Sequence, residues 1–437
     1  MPDYAFETLR IHAAYDPKDH GNAVSPPIYQ SAAFDLENTA RAKRLWTGAE
    51  VGGIYTRVGN PTVSILEERI AKLDGGSAAI GLASGMSAIS YVILLLGEGG
   101  GNIVAASSLY GAAQESLLHF FPKFGITTQF VTDRHDPQAY EALIDDDTRA
   151  IYLESISNPN AEIYDIEAIA EAAHRHGVPV IVDNTVATPY LYQPFKHGAD
   201  IIVYSATKGI CGHGNAIAGL VVENGTFEYS RERFPHLHEL SWKLRDIDDN
   251  PRSPIDADPH APIITALRCF HLEFIGAKLS PFDAYQVLDG LSTLVERLDK
   301  QISSTARIAQ HLSNHPHVAW VRYAGLAQSP FHSLAERDFS HGAGALLSFG
   351  FKGSDEQIDA FIQALDVFSY HVNIGDFRSL IANPTHTTHT ELEQEVLESA
   401  DIPSNILRLS IGLEHVDDLI ADLDHAFQLA FNEPTKE

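Results

Sequence analysis

Three short apolar runs in this 437-residue chain each end on a side chain able to do chemistry. Val178-Pro179-Val180-Ile181-Val182 stops at Asp183. The run 150–153 stops at Glu154, with Asn158 four residues on, and the run 200–204 is followed by Ser205, Thr207 and Lys208. In open α/β sheets the ligand crevice lies beyond the carboxyl ends of the strands, so the three endings project to one edge. Each alone reads as an ordinary polar strand terminator. Together they carry more weight, because a carboxylate emerging from so apolar a strand needs a cation, and a lysine in a half-buried crevice is an amine whose proton affinity can be tuned.

One cofactor uses the whole set. Pyridoxal phosphate (PLP) requires a lysine for its Schiff base, an acid to keep its ring nitrogen protonated, and hydroxyls or amides at a helix start for its phosphate. Lys208, Asp183 and the segment Ser84-Gly85-Met86 supply these. The protonated ring would then serve as an electron sink for a carbanion at a substrate Cα.

Positioning these groups takes a layered scaffold. Asn60 as N-cap, Pro61 at the first helical position, Val63, Leu66, Ile70 and Leu73 at helical spacing, and Gly75-Gly76 as terminator mark a first helix. Strands are expected at 102–106, 128–132, 150–154, 178–183, 200–204 and 219–223, alternating with helices such as 166–176. That order predicts an α/β fold with a mostly parallel central sheet flanked by helices. A polar, Pro- and Asp-rich stretch at 234–262 reads as a surface loop. A helical pattern over 281–312 predicts one long linking helix. Strands at 345–350 and 407–411 and a helix at 416–431 predict a smaller C-terminal α+β domain. The expected division is an N-terminal arm over 1–60, a cofactor-binding domain over 61–265 and a C-terminal domain over 266–437.

Composition narrows the partners. With 58 acidic and 30 basic residues the formal charge is −28, which excludes a basic nucleic-acid binder. The uncharged run 75–97 is diluted by Gly and Ser, and Ser84 reads as the N-cap of a helix, so a buried helix is expected there and no membrane span. Met1 to Glu7 carry no basic cluster or apolar run, and Cys211 and Cys269 are the only cysteines, so two free thiols in the cytoplasm are expected. No dinucleotide fingerprint, phosphate loop or zinc-protease motif is present, and His386 and His389 lack a third ligand, so no metal is expected.

The residues also resemble a known family, the Cys/Met-metabolism enzymes that use PLP and share the aspartate-aminotransferase (fold type I) architecture. The landmarks are Tyr55-Thr56-Arg57 with Asn60-Pro61-Thr62, Ser84-Gly85-Met86, Tyr110-Gly111, Asn158-Pro159, Asp183-Asn184-Thr185, Ser205-Ala206-Thr207-Lys208 and Arg408-Leu409-Ser410. The resemblance implies that Lys208 holds the cofactor and moves protons, Asp183 pairs with the ring nitrogen, and Tyr110 stacks over the ring. It implies that Ser84, Gly85, Met86, Ser205 and Thr207 bind the phosphate, and that Arg408, with Ser379 and Asn158 near it, grips the substrate carboxylate. Tyr55 and Arg57 would reach the neighbouring subunit's site, which makes a homo-oligomer of at least a dimer, with a tetramer expected.

Within the family, Gly212-His213-Gly214, Ser280-Pro281-Phe282, Gly375-Asp376, Thr387-Thr388-His389 and Ile411-Gly412-Leu413-Glu414-His415 are most similar to O-acetylhomoserine sulfhydrylases. The implied substrates are O-acetylhomoserine and sulfide, and the implied product is homocysteine. Cystathionine γ-synthase, O-succinylhomoserine sulfhydrylase and methionine γ-lyase activities stand as alternatives, as does a catalytically silent acidic interaction module. Ala112, Ala113, Gly209 and Cys211 depart from the usual pattern, and these departures bear on acceptor choice.

Overall fold

The computed structural model describes residues 4–431. Met1–Asp3, the start of the stretch read as no secretory signal, and the last six residues of the expected C-terminal domain lie outside the described residues.

Helix α1, Pro61–Asp74, forms as its caps predict: the Asn60 side chain accepts from the Thr62 N–H at 3.0 Å, proline occupies the first turn, and Gly75 closes it at φ 75°. Val63, Leu66, Ile70 and Leu73 are all buried. Strand β1, Ala78–Leu82, follows where the sequence reading has none. Five residues of Ala, Ile, Gly and Leu show no alternation, and inside an uncharged run they cannot be told from the helix that follows. That helix, α2 (Gly85–Leu96), is capped by the Ser84 hydroxyl, which accepts from the Ser87 N–H at 3.1 Å. Among the described residues no helix is long and apolar enough to cross a membrane.

Strands β2 (Gly101–Ala106), β3 (Ile126–Val131), β4 (Thr148–Glu154), β5 (Val180–Asp183), β6 (Ile201–Ser205) and β7 (Gly219–Glu223) complete a seven-stranded sheet in the order β1-β7-β6-β5-β4-β2-β3. Only β7 runs antiparallel to its neighbours. Helix α3, Ile166–His174, crosses between β4 and β5. Registers align Glu154 with Asp183, and Asp183 with Val203, so β4 and β5 finish level and β6 runs two residues further, to Ser205. The chain winds from β2 outward to β3 but from β4 through β5 to β6 the other way, which opens the crevice of a doubly wound sheet near β4.

A second sheet, in the order β10-β11-β12-β9-β8, holds β8 (Val318–Arg322), β9 (Leu346–Phe351), β10 (Ser369–Tyr370), β11 (Leu380–Ala382) and β12 (Ile406–Ser410). Strands β8, β10 and β11 had no counterpart in the sequence reading; two of them have only two and three residues. The expected single linking helix is two: α4 (Pro281–Ser292) and α5 (Leu294–Ser313), parted at Thr293. Arg297 donates to the Gly290 carbonyl at 2.7 Å and Arg10 to the Ser292 carbonyl at 2.7 Å, diverting acceptors that a continuous helix would use. The stretch 234–262 contains short helices Pro235–His238 and Pro254–Ala257 within its loops. The expected boundary at residue 266 falls within the helical stretch 262–275. Helix α6, Val416–Ala430, covers the second sheet, and one apolar core runs through both sheets.

Candidate active site

A cavity of about 240 Å3 opens at the carboxyl ends of β4, β5 and β6, with the second sheet forming its far wall. Ser84, Gly85, Met86, Tyr110, Asn158, Asp183, Ser205, Thr207, Lys208 and Arg408, spread over more than 320 positions of the chain, all line it.

Lys208 stands just past the end of β6, and its Nζ donates to Asn373 Oδ1 at 2.8 Å. Burial, and next the charge of Arg408, push its pKa down to about 8, with Asp376 opposing them. About a tenth of this amine is therefore neutral and nucleophilic at pH 7, far more than of a free lysine. Asp183 ends β5, where burial pushes its pKa up. It accepts from the Thr185 N–H at 2.9 Å and from the Tyr152 hydroxyl at 3.4 Å. With no cation of the chain paired to it among the described ion pairs, Asp183 is poised for a cationic group in the cavity.

Arg408 comes from β12. It is 1% exposed, donates from Nη1 to Asn158 Oδ1 at 2.8 Å and from Nη2 to the Asn373 carbonyl at 3.0 Å, and leaves Nε without a partner. Burial holds its pKa down at about 10. A buried guanidinium served only by neutral acceptors is incomplete until an anion arrives.

The phosphate end is defined by close approach. A Cβ on Gly85 would fall 2.6 Å from Ser205 Cβ, so only glycine lets the start of α2 lie against the end of β6. Gly85 and Met86, in the first turn of α2 where N–H groups have no intrahelical acceptor, line that end of the cavity. The Ser84 hydroxyl caps α2, and the Thr207 hydroxyl is bonded to both the N–H and the carbonyl of Ala218, at 2.9 and 3.3 Å. Tyr110 leaves its main-chain N–H on Glu154, and burial raises its phenol pKa.

Three expected residues lie off this wall. Tyr55 is 45% exposed. Arg57 bonds to the Glu273 main-chain carbonyl and lies 3.5 Å from its carboxylate. Ser379 is buried, but its hydroxyl donates to Glu414 at 2.8 Å and accepts from the Gly412 N–H at 2.8 Å, so the glutamate after β12 engages it instead of the cavity. Conversely, Asn373, Thr185 and Glu154 line the cavity without having been assigned a part there. Asn373 carries no local signal, being one polar residue in a loop. Glu154 had the same signal as Asp183, a carboxylate closing an apolar strand.

The residues fit PLP on their own chemistry: a neutralisable amine, a buried carboxylate without a cation, a helix N-terminus brought close by a glycine, and an arginine with an orphaned Nε. The chain belongs to the Cys/Met metabolism PLP-dependent enzyme family, whose model matches residues 7–428. It is similar to sulfhydrylase FUB7 of Gibberella moniliformis, with 41% identity covering 98% of each chain. It is 38% identical to the O-acetyl-L-homoserine sulfhydrylase of Leptospira meyeri, covering 97% of this chain and 96% of that one. Among solved structures, one described as an O-acetylhomoserine (thiol)-lyase from Campylobacter jejuni, carrying pyridoxyl-lysine-5'-monophosphate, superposes with TM-score 0.91 at 36% identity, covering 97% of this chain and all of that one.

Proposed function

We propose that this cavity catalyses γ-replacement on O-acetylhomoserine, with hydrosulfide displacing acetate to give homocysteine. The observation that carries the reading is Arg408, a buried guanidinium that lacks an anion and shares Asn373 with the Lys208 amine. Such a pair suits a substrate whose α-carboxylate must be anchored while a proton is removed beside it. The relatives named as sulfhydrylases supply the choice of donor and nucleophile.

PLP, when bound, would supply the electron-withdrawing ring that makes protons on the substrate's Cα and Cβ removable. Lys208 is the amine that would hold its aldehyde, Asp183 the anion for its ring nitrogen, and the start of α2 with Ser205 and Thr207 the phosphate seat. Arg408, steadied by Asn158, fixes the carboxylate with a two-pronged donor. Lys208 Nζ would take the Cα proton, a second proton would leave Cβ as acetate departs from Cγ, and both would be returned after sulfur has added. The net change is one C–O bond broken and one C–S bond made at Cγ. Asn373 holds that amine at 2.8 Å, limiting where it can swing.

Tyr55 and Arg57, off this subunit's wall, are read as reaching a partner's cavity, which makes the arm over 1–60 functional only in a dimer or in a tetramer built from two dimers. The free Cys211 and Cys269 suit a reducing compartment, read as the cytoplasm. The test is direct: PLP-loaded protein given O-acetylhomoserine and sulfide should release homocysteine and acetate. A panel with O-succinylhomoserine, cysteine and methionine ranks the alternatives by kcat/KM. Failure to form homocysteine overturns the reading.

A further inference from the structure

Glu154 has no role in that scheme, yet it ties the cavity walls together. It is the last residue of β4, 4% exposed and registered against Asp183. Each of its oxygens is committed to a backbone N–H from a different segment: Oε1 accepts from Tyr110 at 2.6 Å and Oε2 from Asn158 at 2.8 Å. Asn158 Oδ1 in turn accepts from Arg408 at 2.8 Å. From the other side, His389 Nε2 lies 3.2 Å from the Leu109 carbonyl, fixing the same turn that carries Tyr110. No cation pairs with Glu154 among the described ion pairs; burial and the neighbouring Asp183 push its carboxyl pKa well up, and the two main-chain N–H donors are what oppose that shift. A strand that merely needed a polar end would be served by a neutral Asn or Thr at far smaller desolvation cost.

We propose that Glu154 is a positioning residue that holds the Tyr110 turn and the Asn158–Arg408 pair at one spacing across the cavity. It thereby fixes the ring-stacking face relative to the substrate-carboxylate grip. The inference rests on the reading of this cavity as a PLP site. One planar carboxylate bridging both segments leaves neither free to shift alone, and misplacement by about 1 Å is enough to slow a positioned reaction by about a hundredfold.

Glu154→Gln tests it, because the amide keeps the shape but offers one acceptor oxygen and turns an NH2 toward the second N–H, donor to donor. In the cofactor-free protein, amide hydrogen exchange should rise about tenfold in peptides covering 108–112 and 156–160, and nowhere else. In the PLP-loaded protein, KM for O-acetylhomoserine should rise about tenfold, and the visible circular dichroism of the cofactor should shrink while its absorbance is retained. Glu154→Asp keeps two acceptor oxygens on a shorter stem, should show the same changes at smaller amplitude, and serves if the Gln variant does not fold. Unchanged protection in both segments, or protection lost evenly along the chain with KM and dichroism unaltered, overturns the proposal. If the parent protein takes up no PLP, the proposed function falls, and exchange alone then decides whether Glu154 holds the two segments.

Discussion

Arg134 and Arg408 are both buried arginines, one beside the cavity and one away from it, and they are treated oppositely. Arg134 donates two parallel bonds to Glu162, at 2.9 and 3.0 Å. Burial pulls its pKa down, but the hydrogen bonds and charge of Glu162 outweigh that and leave it raised. Arg408 meets only an amide oxygen and a carbonyl, keeps Nε unsatisfied, and has its pKa held at about 10. Carboxylates divide the same way. Asp200 has His174 at 2.8 Å and the Val180 N–H at 2.8 Å, whereas Asp183 has N–H and O–H donors but no cation. In both pairs the charged group away from the cavity has a partner of opposite sign in the chain, and the one that lines the cavity has none.

The comparison breaks first at its centre. Lys208→Ala should abolish the visible absorbance of bound cofactor and lower turnover by about 10,000-fold, measured on protein incubated with PLP. Next, the two arginine regions should separate function from stability. Arg408→Met should raise KM for O-acetylhomoserine about a hundredfold, while leaving the denaturant midpoint unchanged or higher, since it removes a charge that lacks an anion. Glu162→Ala should do the reverse, costing about 3–5 kcal/mol in chemical denaturation because it strands Arg134, with kcat/KM in the surviving folded fraction little altered. Equal stability losses in both variants would erase the distinction.

The amine sharpens the comparison through pH. Burial lowers Lys208 from 10.5 to about 8, so between those values the unfolded chain carries the extra proton. The cofactor-free protein should therefore be least stable below pH 8 and gain stability as pH rises toward 10.5. PLP uptake, followed by stopped-flow absorbance, should slow about tenfold for each pH unit below the folded pKa and level off above it. A midpoint near that of a free lysine would contradict the buried setting. The smallest effect belongs to an exposed pair: Arg307→Ala, breaking the contact with Asp417, should change stability by less than about 1 kcal/mol.

Much of this site was readable before any coordinates. Asp183, Lys208 and Ser84 announce themselves because a polar group that ends an apolar strand or opens a helix is visible in the local pattern, and Asn60-Pro61 and Gly75 fix α1 by the same logic. What escaped the pattern has equally physical causes. Strand β1 is too short and too poor in β-branched residues to show a period, and at the break at Thr293 the last carbonyls of α4 are taken by Arg297 of α5 and by Arg10 from 282 positions away. Ser379, expected beside Arg408, is engaged by Glu414, 35 residues further along the chain.

Sequence by itself determined the reactive residue types, the alternation of strands and helices, and the net acidity, because these follow from local spacing and composition. Tertiary structure alone decided which of those residues meet. It set Asn373 from one loop against Lys208 from another, left Arg408 on the second sheet without an anion, and joined Tyr110 to Asn158 through Glu154. The reason is that desolvation and hydrogen bonding depend on what lies across a few ångströms of space, and 165 residues of chain separate Lys208 from the amide that holds it.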